Sequence, residues 1–179
     1  MRDLSDEAIQ LLQHGDLEGA RALFTFVLDQ RVATFGPDSP SIITDLANLG
    51  NVLAEQHDPA SARPLLERAV ELRERQRGPD HPDVATELGN LGLVLEAAGD
   101  LAAARAAYER ALAIQSAAFG DNHPSVGVAL SNLATLLLRE QHLEPARAML
   151  ERADAIFARY LPPSAPARQA TRAALRNLE

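Results

Sequence analysis

GPDHPDVATELGNLGLVL, residues 78–95, returns at a step of 42 residues on either side, as GPDSPSIITDLANLGNVL from Gly36 and GDNHPSVGVALSNLATLL from Gly120. The same step carries the intervening stretches ALFTFVLDQRVATFG from Ala22, PLLERAVELRERQRG from Pro64, AAYERALAIQSAAFG from Ala106 and AMLERADAIFARYLP from Ala148. A repeating unit of this length is a small supersecondary piece that cannot bury its apolar face alone, so successive copies must stack into a continuous core. The period therefore predicts an elongated solenoid with repeats at about 1–35, 36–77, 78–119 and 120–161.

Two helical patterns fill each unit. The first, helix A, begins at the prolines (Pro40, Pro82, Pro124), where the missing amide proton has no helical partner to lose. In it Leu46, Leu49 and Leu53 return as Leu88, Leu91, Leu95 and as Leu130, Leu133, Leu137. That spacing puts each trio on one helical face, the core face. Breaks at His57-Asp58, Gly99-Asp100 and Gln141-His142 end helix A and cap helix B, and a two-residue turn makes the pair antiparallel. Ala20, Ala62, Ala104 and Ala146 hold one position of helix B, where a small residue permits close approach. One turn on, Phe24, Leu66, Tyr108 and Leu150 fill the gap.

This pattern resembles the tetratricopeptide repeat, specifically the 42-residue type of kinesin light chains. The resemblance rests on Asn48-Leu49-Gly50, Asn90-Leu91-Gly92 and Asn132-Leu133-Ala134 of helix A, the helix B alanines, and Glu67-Arg68-Ala69, Glu109-Arg110-Ala111 and Glu151-Arg152-Ala153. The Gly78 to Pro82 connector completes it. It covers nearly the whole chain and implies an all-α fold, a right-handed α-solenoid of antiparallel helix pairs spanning 1–179. It implies no single function.

The ends are less regular. The pattern from Met1 to Gln13 aligns with a helix A, but Glu7 stands where later copies carry leucine, so a short and weakly packed helix is expected, leaving Phe24, Phe26 and Phe35 poorly covered. At the other end Pro166 falls 42 residues after Pro124 and starts a capping helix of about 166–178, with Arg168, Arg172 and Arg176 read as a solvated stripe rather than a basic binding site.

Of 179 residues, 46% are hydrophobic and only 4% aromatic, enough for a leucine and alanine core and too few aromatics for membrane belts. No apolar run approaches about 18 residues, and no signal-peptide pattern opens the chain. A soluble, cytoplasmic protein without a membrane partner is expected. A net charge of -8 argues against nucleic acid, which calls for a positive field. The absence of cysteine rules out disulfides and thiolate metal sites. All 17 basic residues are arginine, which fits a GC-rich, bacterial genome.

Catalytic chemistry is not evident. There is no phosphate loop, no metalloprotease helix and no nucleophile elbow, and the Gly-Pro-Asp strings are connectors. His81 and His123 read as connector caps and His14, His57 and His142 as turn residues, none with a second ligand at helical spacing. No catalytic residue, metal site or cofactor is expected, and the chain reads as a non-enzyme. Arg63 with Glu67, Arg105 with Glu109 and Arg147 with Glu151 read as exposed pairs at helical spacing, each worth about 0.3–0.5 kcal/mol.

In the family that the chain resembles, helices A line a concave groove. Carried over by register, the inward positions include Thr44, Asn48, Asn51 and Glu55, then Thr86, Asn90, Leu93 and Glu96, then Asn132, Thr135, Leu138 and Arg139. Asparagine is a poor mid-helix residue, so Asn48, Asn90 and Asn132 need a reason. Either each amide bonds an adjacent helix, or it clamps the backbone of a bound peptide, or both. Ala47, Gly89 and Ser131 stand where chaperone-binding relatives carry the lysine of a carboxylate clamp, and Arg139 is the only arginine among these positions. A neutral, apolar or basic segment thus fits better than an acidic one. The expected function is a protein-interaction module binding a peptide or protein segment in that groove. The alternatives are a sensing or scaffolding part of a larger bacterial regulatory protein, motivated by the start at Met1 with no preceding connector, and self-association through the ends of the array.

Overall fold

The computed structural model describes residues 4–178, so the first three residues of the predicted first helix lie outside the described residues. Nine α-helices and one 3-10 turn, without a strand, are found among them. The helices A are α1 (Leu4–Gln13), α3 (Ile43–Glu55, entered through the 3-10 turn Pro40–Ile42), α5 (Pro82–Ala97), α7 (Pro124–Arg139) and α9 (Pro166–Arg176). The helices B are α2 (Leu17–Phe35), α4 (Pro59–Arg77), α6 (Leu101–Phe119) and α8 (Leu143–Tyr160). The chain forms two compact units, one running to Asp100 and the other starting at Leu101. In the first, α1 packs on α2 and α3 on α4, each B helix also packs on the A helix that follows it, and α3 touches α5. In the second, α7 packs on both α6 and α8, and α8 carries α9.

The punctuation repeats with the period. Gly15, His57, Gly99 and Gln141, 42 residues apart, all have positive φ, at 80°, 61°, 82° and 64°. At two of the four a side chain accepts the left-handed conformation, at a cost of about 1 kcal/mol, because the reversal satisfies the last carbonyls of helix A. Asp58 N donates to Leu53 O at 2.9 Å and His142 N to Leu137 O at 2.9 Å. Asp16 and Asp58 then cap the next helix by accepting from Gly19 N and Ser61 N. At the connectors, His81 and His123 are caps as expected. Their Nδ1 atoms accept from Asp83 N at 3.1 Å and Ser125 N at 3.2 Å.

The arginine of the repeated Glu-Arg-Ala holds the connector. Arg68 donates to the Pro37 carbonyl at 3.4 Å and to the Asp38 carboxylate, and Arg152 donates to the Asp121 carbonyl at 3.3 Å and pairs with its carboxylate.

The three leucine trios are buried, as are Ala20, Ala62, Ala104, Ala146 and the large side chains Phe24, Leu66, Tyr108 and Leu150. Small residues on helix A make room for them. A Cβ on Gly50 would sit 2.8 Å from Leu66 Cγ, and one on Gly127 would sit 2.7 Å from Phe157 Cε1.

Buried ion pairs join helix B to the following helix A in the first unit: Arg31 with Asp45 and Arg73 with Glu87, both at 3.0 Å. The period places Gln115 with Ala129, then Phe157 with Thr171, at the corresponding positions of the second unit. Gln115 is buried with its Oε1 unbonded. Desolvation pushes the Glu87 carboxyl above the usual carboxylate range, a shift that its bond to Arg73 opposes without cancelling.

Three expectations are corrected. Phe24 is fully buried, and only Phe26 and Phe35 are exposed, at 51% and 59%. Arg168 and Arg172 are not a solvated stripe. Both reach Asp154 of α8, Arg172 at 2.9 Å, and the Arg168 side chain is only 12% exposed, donating to the Leu161 carbonyl at 3.1 Å. Arg147, expected to pair with Glu151, instead donates to the Leu178 carbonyl, tying α8 to the end of α9. The first helix is weakly packed as expected, with only Ala8 buried.

Gly127→Ala is expected to cost about 1–3 kcal/mol, because its methyl would push the buried Phe157 ring out of its seat against α7. Urea unfolding checks this, and Phe157→Leu in the same background should recover part of the loss. Glu87 gives a second expectation. Its folded pKa is raised, so the folded state binds the proton more tightly and gains stability as pH falls from neutral toward the carboxylate range. The urea midpoint of the unmodified chain should therefore rise relative to that of Glu87→Gln between about pH 7 and about pH 5.

Candidate functional site

An α-helix turns 100° per residue, so positions 44, 48, 51 and 55 of α3 fall on one stripe and 86, 90, 93 and 97 of α5 on its counterpart. Both stripes belong to the first unit, where the two helices are in contact. Thr44, Glu55 and Thr86 are exposed and Asn48, Asn51 and Asn90 half-buried. Leu93 is 52% exposed, an apolar side chain between Asn90 and Ala97 on the stripe. Glu96 departs from expectation. It lies one position off the stripe and is only 7% exposed, so its carboxylate belongs to the interior rather than to the surface.

The corresponding stripe of the second unit lies on α7. Asn132 is half-buried, Thr135 and Arg139 exposed, and Leu138, like Glu96 off the stripe, half-buried. The hydroxyls are committed to the backbone: Ser131 Oγ donates to Gly127 O and Thr135 Oγ1 to Ser131 O, both at 3.0 Å, and Thr171 Oγ1 of α9 to Ala167 O at 2.9 Å. Asn132 and Thr135 also line a cleft of about 220 Å³ between α7 and α9, floored by Leu150 and Phe157 of α8.

The asparagines differ from these hydroxyls. Among the described residues, no side-chain hydrogen bond is found for Asn48, Asn51, Asn90 or Asn132. Four amides on helices A thus keep their donors and acceptors for solvent or a ligand.

The described residues hold no group of His, Asp and Glu suited to a metal ion, and no helix long and apolar enough to cross a membrane.

The tetratricopeptide repeat family model matches residues 4–75, 44–117 and 83–158, overlapping along most of the chain. The chain belongs to the tetratricopeptide repeat family. Its repeats are similar in structure to those of a Podosopora anserina protein described as a kinesin light chain with nearly identical TPR-like repeats. That similarity covers 99% of this chain and 84% of the other at a TM-score of 0.81 and 24% identity. BtubC (BKLC) from P. vanneervenii is similar over 98% of this chain and 70% of its own, with a TM-score of 0.81 and 21% identity. MamA RS-1 follows at a TM-score of 0.62 and 20% identity, over 86% of this chain and 72% of its own. A comparison with curated proteins finds no match. These likenesses establish the all-α tetratricopeptide fold and point to no enzyme family.

The buried Arg31–Asp45 and Arg73–Glu87 pairs were open to sequence reading, because their 14-residue offset repeats with the period, although helical spacing alone directs attention to pairs three or four apart.

Asn90→Ala is the discriminating substitution for the asparagines. With no intramolecular bond to lose, and alanine the better helix former, the variant should gain about 0.5 kcal/mol in urea unfolding. A loss of that size or more would instead mark the amide as structural.

Proposed function

We propose that this protein is a non-enzymatic interaction module that binds a peptide or protein segment along the exposed faces of its helices A. Tetratricopeptide repeats in general are protein-interaction modules. The observation that carries the reading is the set of unbonded amides at Asn48, Asn51 and Asn90 beside the exposed Leu93. An extended peptide has one donor and one acceptor per residue, and an asparagine amide answers both. Thr44, Glu55 and Thr86 complete that surface, and Asn132, Thr135, Leu138 and Arg139 supply its counterpart in the second unit. Glu96, being buried, contributes no contact.

The charge of the surface favours a neutral, apolar or basic segment over an acidic one. Glu55 is exposed in the first unit, and no Lys or Arg stands among the stripe positions there. An acidic peptide would meet repulsion without a compensating clamp. We place this activity in the cytoplasm.

Affinity capture from lysate of the source organism tests the proposal, comparing the unmodified chain with Asn51→Ala/Leu93→Glu after circular dichroism has confirmed equal helicity. Both positions are surface-accessible, so the variant should fold. Proteins retained by the unmodified chain should be reduced about tenfold or more on the variant. Equal retention by both would remove the helix A face as the binding surface and shift the reading to self-association, where exposed Phe26 and Phe35 supply the apolar contact.

A further inference from the structure

At the last helix junction the repeat keeps its geometry but loses the side chains that fill it. In the first unit, α4 and α5 meet through Arg73 and Glu87, with Thr86 and Asn90 beside Glu87 on α5. The positions 84 residues later are Phe157 on α8 and Thr171, Ala170 and Ala174 on α9. Glutamate has become threonine, and threonine and asparagine have become alanine. Each of these changes on α9 removes atoms. The result is the cleft of about 220 Å³ floored by Leu150 and Phe157, both buried, and walled by Asn132 and Thr135 on one side and Ala170, Thr171 and Ala174 on the other.

The cleft has three chemical properties. No residue lining it is ionisable, whereas the corresponding junction of the first unit is occupied by an ion pair. The Ser131 and Thr171 hydroxyls are bonded to the backbone and lie 3.2 Å from one another. The Asn132 amide alone among these polar side chains has no intramolecular hydrogen bond among the described residues. The volume exceeds the roughly 150 Å³ of an apolar cavity that admits benzene and falls below the roughly 300–1,000 Å³ of a small-molecule site. That is the size of one large side chain.

The geometry points to an anchor pocket: the cleft between α7 and α9 takes a single bulky apolar side chain of a partner peptide, and the Asn132 amide bonds that residue's backbone. An uncharged floor excludes acidic and basic anchors, since either would be desolvated without a counter-charge. The inference rests on the peptide-binding reading above and adds to it the residue class read in the second unit.

The test uses the full chain, labelled with 15N, titrated with N-acetyl-leucinamide and separately with the α-amide of N-acetylglutamate. The leucine probe should move, saturably, the side-chain amide resonances of Asn132 and the backbone amides of Ala170, Thr171 and Ala174, and the glutamate probe should move them by about a tenth as much or less. Ala174→Leu, which fills the cleft from within, should weaken the leucine probe about tenfold. Ala170→Leu, at an exposed position, makes the same comparison if Ala174→Leu loses helicity. The inference is overturned if the cleft resonances stay still, if both probes move them equally, or if the filled variants bind leucinamide as well as the unmodified chain. Such a failure leaves the peptide-binding reading intact, because that reading is tested at Asn51 and Leu93 in the first unit. Loss of partners at Asn51 and Leu93 with a silent cleft would mean a peptide held without this anchor.

Discussion

The structure depends on the close approach of helix A to helix B. In the pairs α1–α2, α3–α4 and α7–α8, Ala8, Gly50 and Ala134 hold one position of helix A, Ala20, Ala62 and Ala146 hold one of helix B, and all six are buried. A side chain larger than a methyl at either site would hold the pair apart, and the leucine faces would lose contact over their whole length. Gly50 illustrates the tolerance: even a Cβ there would collide with Leu66. Because dispersion contacts fall off within about an ångström, this constraint sets where every other core side chain can act.

With backbone geometry set by the small residues, the chemistry between successive helices is free to vary. Two junctions of the first unit hold buried arginine–carboxylate pairs. At such sites the attraction between charges is offset by desolvation, and at Glu87 desolvation holds the carboxyl above its ordinary range. The Arg73–Glu87 pair fills its junction and specifies the partner. In the second unit the same register is occupied by Gln115 and Ala129 and by Phe157 and Thr171. At the latter, the ring of Phe157 takes the space left by Gly127, the cleft opens above it, and α9 is secured by Arg168 and Arg172 on Asp154 and by Arg147 on the Leu178 carbonyl.

The period of 42 made the fold legible. It located the leucine trios, the proline starts, the histidine caps and the helix ends to within a few residues, since each of these is a local signal repeated in register. What stayed hidden was tertiary. Arg168 and Arg172 sit at four-residue steps and look like a solvated stripe, and only the position of Asp154 on another helix reveals what they hold. Glu96 was placed on the surface by a register one residue wide, and 100° of helical rotation separates it from Ala97. The Arg–carboxylate pairs lie 14 residues apart across a connector, where no helical spacing rule looks and only the recurrence of that offset with the period points to them.

The asparagines show how fold and function separate in such a protein. A residue that disfavours the helix and bonds nothing within it lowers stability wherever it occurs, yet it stands at the same position in three helices, Asn48, Asn90 and Asn132. In α9, the helix that closes the second unit, the corresponding residue is Ala174, which is what helix propensity alone would choose. The contrast is internal to one chain and one register, so backbone requirements do not explain it. The binding faces proposed above account for it in each unit separately: Asn48 and Asn90 keep free amides on α3 and α5 of the first unit, and in the second Asn132 of α7 stands across the cleft from the alanines of α9.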